Sequence, residues 1–384
     1  MRVLQIVPRI ATESSGPSLS VPSLCRALAE RGDDVELYAL EPAAAKPIFD
    51  RVRYFPCAPL PFAHRLGWSP RMRRALERES RAFDVVHTSS LWMMPNIYPG
   101  LVRKRGDSKL VISPRGTLSA WSRARSKLRK AAVWRLGQRA ALEAADCIHA
   151  TSVEELRDVR QMGLKMPVAL IPNGVDCPED FAERDVSRSR RTCLFLARIH
   201  PKKGVDRLLE AWRRLAADFP AWDCKIAGPL DSAYAEQLQA DARRSPESRI
   251  EFLGEVRGEA KAQVFRSADL YVLPTHSENF GISVAEALSH GVPSIVFHGA
   301  PWEGLNEQGA GWWIEPDLDV LTQKMRDAMQ MSDAQRAAMG RRGHAWVRAE
   351  FAWKGIAERM QRVYRWLRQP DWHPLPEDVH VDGC

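Results

Sequence analysis

The 384-residue chain contains no apolar run approaching the ~20 residues that a membrane-spanning helix needs. It has no repeated or low-complexity segment, so disorder is not the default state. No charged-then-apolar leader precedes its first apolar run, residues 3–7, so a secretory signal is not expected. Its seven cysteines (Cys25, Cys57, Cys147, Cys177, Cys193, Cys224 and Cys384) are scattered, and none stands at a Cys-x-x-Cys spacing. An odd, dispersed set fits reduced thiols in a cytosolic protein rather than a disulfide framework or a structural zinc site. What remains is a chain that is 45% hydrophobic, long enough for two ordinary domains with separate cores.

The net charge of +8 is unevenly placed. Residues 1–184 carry 29 Lys and Arg against 20 Asp and Glu, whereas the remainder carries 27 against 28. The excess is densest between Arg103 and Arg139, where twelve basic residues face one acid, Asp107. Such an asymmetry suggests a polyanionic partner for the first half, either nucleic acid or an anionic membrane surface. No RNA- or DNA-binding motif accompanies the basic run, so nucleic acid is the disfavoured reading and no nucleic-acid partner is expected.

Short apolar runs alternate with helical patterns along the first half. Strands are expected at 3–7, 35–40, 85–87, 110–112, 147–150 and 168–171, and a helix at 21–31 is stopped by Gly32. A long basic amphipathic helix is expected from about Ser122 to Ala145, carrying Arg123, Arg125, Lys127, Arg129 and Lys130 beside Trp121, Leu128, Val133 and Trp134. Basic residues with tryptophans suit a membrane interface; a solvated face over an ordinary core is the alternative. Residues 172–191 lack a sustained apolar period and read as a linker. The alternation then restarts, with strands at 192–197, 222–227, 250–253, 270–273 and 294–297. Ser332–Gln335 has the form of a capping box, and the last helix carries Ile356, Met360, Val363 and Leu367 on one face. The expected fold is α/β, with parallel sheets covered on both faces. The expected domains are 1–175 and 190–369, the last helix being able to cross back, followed by a loose tail, 370–384.

Two segments carry chemistry. Glu278, Asn279, Phe280, Gly281 and Ile282 follow an expected strand and open a helix in which Glu286 lies about a turn further on. Amides at a helix start favour anions and sugar oxygens, and Gly281 allows a ligand to approach the backbone. Either carboxylate can accept hydrogen bonds from a vicinal diol. Two acids at this spacing also fit an ordinary helix start with favourable charge. The second segment places Arg198 and Lys203 between a strand and a helix, where a guanidinium and an ammonium suit a departing diphosphate. A solvated basic loop is the alternative.

Together and in this order, these segments resemble the retaining GT-B glycosyltransferases of family 4, glycosyltransferase group 1, a group with many bacterial surface-polysaccharide and lipopolysaccharide enzymes. The Glu-x7-Glu pattern is met by Glu278 and Glu286 and the Arg-x4-Lys pattern by Arg198 and Lys203; residues 171–176, 252–254 and 268–270 are further landmarks. The resemblance implies two Rossmann-like domains facing a cleft and transfer of a sugar from a nucleotide-diphosphate sugar to a glycan or lipid-linked acceptor, with retention. It implies that Arg198 and Lys203 hold the diphosphate, Glu278 the sugar hydroxyls and Glu286 the ribose diol. The amides of Phe280, Gly281 and Ile282 would line the sugar pocket. Asn279 and Ala197 stand where the family often has glycine. Gly16 is the one glycine left in a loop that is glycine-rich elsewhere, and Arg115 stands where many members carry histidine. Arg115 either contacts a phosphate or sugar or anchors a loop, and it cannot serve as an ordinary base. His87, after an expected strand, is either a substrate contact or structural. No Asp-x-Asp stands where a divalent ion would bridge the diphosphate, so catalysis without a metal or other cofactor is expected. The expected place of work is the cytoplasm, at the inner face of the membrane. A GT-B sugar-nucleotide epimerase is the rival enzyme, and a basic nucleic-acid-binding protein the rival of another class.

Overall fold

The computed structural model describes residues 1–10, 16–41, 49–61, 63–103, 108–179 and 188–381. Along the chain the strands are β1 (Arg2–Ile6), β2 (Asp34–Leu40), β3 (Val52–Phe55), β4 (Val85–Ser89), β5 (Lys109–Ser113), β6 (Cys147–Ala150) and β7 (Val168–Leu170). There follow β8 (Arg191–Leu196), β9 (Trp222–Ala227), β10 (Ile250–Gly254), β11 (Leu270–Leu273), β12 (Ser294–Phe297), β13 (Gly311–Ile314) and β14 (Val379–His380). They form two sheets, ordered β14-β7-β6-β5-β4-β1-β2-β3 and β10-β9-β8-β11-β12-β13. Every pairing is parallel except that of β14 with β7.

Continuous apolar runs make the central strands because both faces of each sheet are covered. In the first sheet Val3, Val35, Val85 and Val111 face one core with Val21, Leu24 and Leu28. Their neighbours Leu4, Val86, Leu110 and Ile148 face a second core with Met72, Leu76 and Leu142. The second sheet lies in one cluster that includes the wholly buried Trp212, whose indole N–H donates to the Ser248 carbonyl at 2.6 Å. The alternation of side chains across each strand thus supplies both covered faces.

The chain divides into two compact units, 1–174 with 353–384, and 175–352. This differs from the expected 190–369. Ile356, Met360 and Val363 of helix Trp353–Arg368 are buried in the first core, and its Tyr364 bonds to residues of β1 and β4. At the two crossings the Val175 N–H donates to the Phe351 carbonyl, 2.8 Å away. The tail also differs from expectation, since β14 pairs with β7 and Asp378 accepts from Arg359 at 2.6 Å. The expected helix 122–145 is broken into Ala120–Ala124, Lys127–Val133, a π turn Trp134–Gln138 and Arg139–Glu143. The breaks fall at Ser126, in the left-handed region with φ 53°, and at Gly137, with φ 159° and ψ −20°. Periodicity alone does not show such breaks, because the polar pattern continues through them.

Candidate active site

In the second unit the two sequence motifs meet. β8 ends at Leu196, and Arg198 stands exposed two residues beyond it, with no hydrogen-bond or ion-pair partner among the described residues. The 3₁₀ turn Pro201–Lys203 follows, its start capped by His200 Nδ1, which accepts from the Lys202 N–H at 3.0 Å. Gly204 then takes φ 70°, and a Cβ there would lie 2.0 Å from the Pro274 carbonyl oxygen. Only glycine allows this approach, and the approach lays the 201–204 turn against the loop after β11. The His276 N–H and Thr275 Oγ1 both donate to the Lys202 carbonyl, at 2.9 and 3.1 Å.

That stitching sets Lys203 beside Glu278. The ammonium donates to the Glu278 carboxylate, and both side chains are largely buried. Thr275 Oγ1 lies 3.4 Å from the same carboxylate oxygen, and the Glu278 N–H is held by the Gly299 carbonyl at 2.6 Å. Phe280 is buried, and its carbonyl accepts from the Trp302 indole at 2.6 Å. Gly281 then turns at φ 85° and ψ 60° into helix Ile282–Ser289. The first amides of that helix have no partner within it, so they are presented beside Glu278. Ser283 is fixed by the Tyr271 hydroxyl, 2.7 Å away.

Glu286, four residues into the helix, is paired with Lys261 at 2.5 Å. Burial raises its pKa, and Lys261 pulls the other way. Lys261 was not singled out from the sequence. Its helix, Gly258–Ser267, carries no marker except a basic residue on an otherwise mixed face. The site therefore holds two cation–carboxylate pairs, Lys203–Glu278 and Lys261–Glu286, and one exposed cation, Arg198.

The first unit places its candidates differently. Gly16 is exposed at the start of helix Gly16–Glu30; residues 14 and 15 lie outside the described residues. His87 is wholly buried, and both ring nitrogens are engaged, Nδ1 with the Tyr364 hydroxyl at 2.6 Å and Nε2 with Ser113 Oγ at 2.7 Å. No ring atom remains for a ligand, so its reading as a substrate contact gives way to a structural one.

The bonds of that network run in one direction. His149 Nε2 faces the Ile171 carbonyl at 2.8 Å, so it must donate. Its Nδ1 then accepts from Ser113 Oγ at 2.8 Å, Ser113 accepts from His87 Nε2, and His87 Nδ1 accepts from Tyr364. Gln5 donates to the Tyr364 oxygen at 3.0 Å. The chain works only with both imidazoles neutral. Burial, mutual repulsion and Arg115 push His87 well below its ordinary pKa, and burial with Arg115 takes His149 down to about 3. Arg115 stands beyond β5 at φ 56°, and its Nη1 donates to Asn173 Oδ1. Burial lowers its pKa to about 10, which leaves it protonated at neutral pH.

Residues 15–179 match the family described as Glycosyltransferase Family 4, and residues 177–346 match Glycosyl transferases group 1. A phosphatidyl-myo-inositol mannosyltransferase of Mycobacterium tuberculosis is 32% identical over 205 residues, which cover 50% of this chain. The chain spans about half the length of that relative, 53%. A D-inositol 3-phosphate glycosyltransferase of Geodermatophilus obscurus is 25% identical over 92% of this chain and 85% of its own. In fold, the chain resembles Anabaena HepE, solved in complex with UDP-glucose, with a TM-score of 0.74 at 18% identity, over 95% of this chain and 99% of that one. Two adjoining family matches and two parallel α/β sheets lead to one assignment: the chain belongs to the group 1 glycosyltransferases of the GT-B fold.

Proposed function

We propose that the protein transfers a glycosyl group from a nucleoside-diphosphate sugar to a glycan or lipid-linked acceptor, with retention at the anomeric carbon, in surface-polysaccharide synthesis. The observation that carries this reading is the Lys203–Glu278 pair, set beside the glycine-opened helix start. A cation and a carboxylate that neutralise each other without ligand can each exchange that partner for part of the sugar nucleotide. Lys203, with Arg198, turns to the diphosphate and stabilises its charge as it departs. Glu278 accepts hydrogen bonds from sugar hydroxyls and fixes the sugar's position. Glu286 takes the ribose diol in the same way, while Lys261 opposes the upward shift that burial gives its pKa. The protein's contribution is positioning and charge, with no covalent step of its own. The glucose nucleotide bound to HepE supports a nucleotide-sugar donor.

The test is a panel of nucleotide sugars incubated with and without a polar lipid extract, scored for nucleoside diphosphate release and for labelled lipid. Acceptor-dependent release supports transfer. Conversion of the sugar nucleotide without any acceptor would make the epimerase reading correct instead. Activity is expected to survive EDTA, since Arg198 and Lys203 supply the positive charge; loss reversed by Mg²⁺ would contradict that role.

The broken basic segment supports work at a membrane. Leu128 and Leu136 are 89% and 84% exposed, and Arg125 lies 4.0 Å over the half-exposed Trp121 ring. Apolar side chains held outward among Lys127, Arg129, Lys130 and Arg135 suit an anionic lipid surface. Among the described residues no helix is long and apolar enough to cross a membrane. Co-sedimentation with anionic vesicles should therefore weaken with salt and with Leu128→Ser/Leu136→Ser; salt-independent pelleting, or none, removes this part of the reading.

A further inference from the structure

Five buried side-chain polar atoms lack a hydrogen-bond partner among the described residues: Gln5 Oε1, Ser89 Oγ, Asn96 Oδ1, Arg115 Nε and Gln138 Nε2. All five belong to the first unit. Such atoms are costly, and a native fold retains few without a reason. Strained backbone gathers in the same unit. Ser90 and Trp92, in the loop after β4, have φ 81° and 73°, and Arg115, after β5, has φ 56°. These loops are joined, since the Ser90 N–H donates to the Ser113 carbonyl and the Trp92 indole to the Thr117 carbonyl. Both lie at the carboxyl ends of parallel strands, where ligands of such sheets bind.

Arg115 is the charge at this place. Two successive residues, Arg115 and Gly116, take positive φ, and the second is held by Glu155, which accepts the Gly116 N–H at 2.6 Å. The same carboxylate accepts also from the Thr151 amide and hydroxyl at 2.8 and 3.0 Å, and its charge favours the protonated guanidinium without pairing with it. Asn173, a neutral group, is the hydrogen-bond partner of the guanidinium. No described carboxylate forms an ion pair with Arg115, although its Nε is shut away from solvent. A partly enclosed cation whose turn is strained and whose N–H groups are underused is an arrangement that an anion completes.

We propose that the turn around Arg115 and Gly116 is an anion subsite, in which Arg115 is the specificity-determining contact for a phosphate carried by the acceptor. The proposal rests on the glycosyltransferase reading for the word acceptor, but not for the anion. Phosphate binding is measured by calorimetry at fixed ionic strength, using inorganic phosphate, on wild type, Arg198→Ala, Arg115→Gln and Arg115→Lys. The site predicts saturable binding that survives Arg198→Ala, falls roughly ten-fold or more in Arg115→Gln and is partly kept in Arg115→Lys. Binding unchanged by Arg115→Gln, or abolished by Arg198→Ala alone, overturns it. If Arg115→Gln fails to fold, phosphate is located crystallographically in the Arg198→Ala protein; density away from Arg115 overturns the proposal. Decyl phosphate, glucose 6-phosphate and neutral decyl glucoside then separate the sources. Tighter decyl phosphate assigns a lipid phosphate, tighter glucose 6-phosphate a soluble one, and equal binding of the neutral glucoside contradicts a phosphate subsite. Failure of every nucleotide sugar to bind while phosphate still binds at Arg115 would leave this site standing and remove only the transferase reading.

Discussion

The two units solve the same problem, polar groups at the ends of parallel strands, in opposite ways. In the second, the candidate groups are cross-neutralised: Lys203 with Glu278 and Lys261 with Glu286. No buried polar atom there lacks a partner among the described residues. In the first, the groups form a directed relay of neutral imidazoles, with a cation beside it that forms no ion pair among the described residues. Such ion pairs can be exchanged for ligand groups, because a diphosphate gives the cations a new counter-charge and sugar hydroxyls give the carboxylates new donors. A directed relay admits no exchange without losing a buried bond. Adaptable binding is thus expected from the second unit and fixed geometry from the first.

The largest effect should come from breaking the pair on its carboxylate side. Glu278→Gln keeps the shape and a hydrogen bond to Lys203 but removes the charge. Turnover is expected to fall about 10²-fold or more while nucleotide affinity persists. Wild-type turnover of a purified, folded Glu278→Gln protein would show that the pair is structural only, and the comparison would fail at its centre.

Cation removal sharpens it further. Arg198→Ala and Lys203→Ala should each weaken nucleoside diphosphate binding by about 1.5–3 kcal/mol, read by calorimetry. Their stabilities should part company. Arg198 is exposed and unpaired among the described residues, so its loss should stay within about 0.5 kcal/mol. Lys203→Ala strands a largely buried carboxylate and should cost about 2 kcal/mol in urea unfolding, recovered in part by adding Glu278→Gln. Equal stability losses in the two single variants would mean that the pair does not form in solution.

How far this was legible in the sequence follows the same division. Arg198, Lys203, Glu278, Gly281 and Glu286 were found because each sits at a fixed offset from a strand-to-helix turn, so local order carries the signal. The Lys203–Glu278 contact spans 75 residues and depends on Gly204 fitting under the Pro274 carbonyl, which no local pattern encodes. Lys261 was missed because its partner is 25 residues away on another helix. The relay was missed almost wholly: Gln5, His87, Ser113, His149 and Tyr364 come from four strands and the returning helix, and only the register of β1, β4, β5 and β6 aligns them. The parallel sheets were legible from apolar runs, but the breaks at Ser126 and Gly137 depend on backbone conformation rather than on polarity.

The last expected effect is on pH, and it tests the relay of the first unit. His87 and His149 are held neutral, with pKa values below the ordinary 6.5. The unfolded chain therefore binds protons at these positions that the folded chain refuses, so stability must fall as pH falls. The sign follows from linkage: stability is full above about 6.5 and is lost progressively below it, at ~1.4 kcal/mol per pH unit for each histidine. For His149 the loss continues down toward about 3. Arg115 adds to the effect by its charge, whereas Tyr364, Ser113 and Gln5 supply neutral partners. In the second unit burial moves Glu286 up and His290 down. Urea unfolding between pH 7.5 and 5.5 should show proton uptake by the relay rising from near zero toward about two at pH 5.5, and His149→Gln should remove about half of that rise. A slope in that range unaffected by His149→Gln would mean that the imidazole is already charged in the folded state. The direction assigned to every bond in the relay would then reverse at Ser113, and the first unit would no longer be the rigid partner in the comparison.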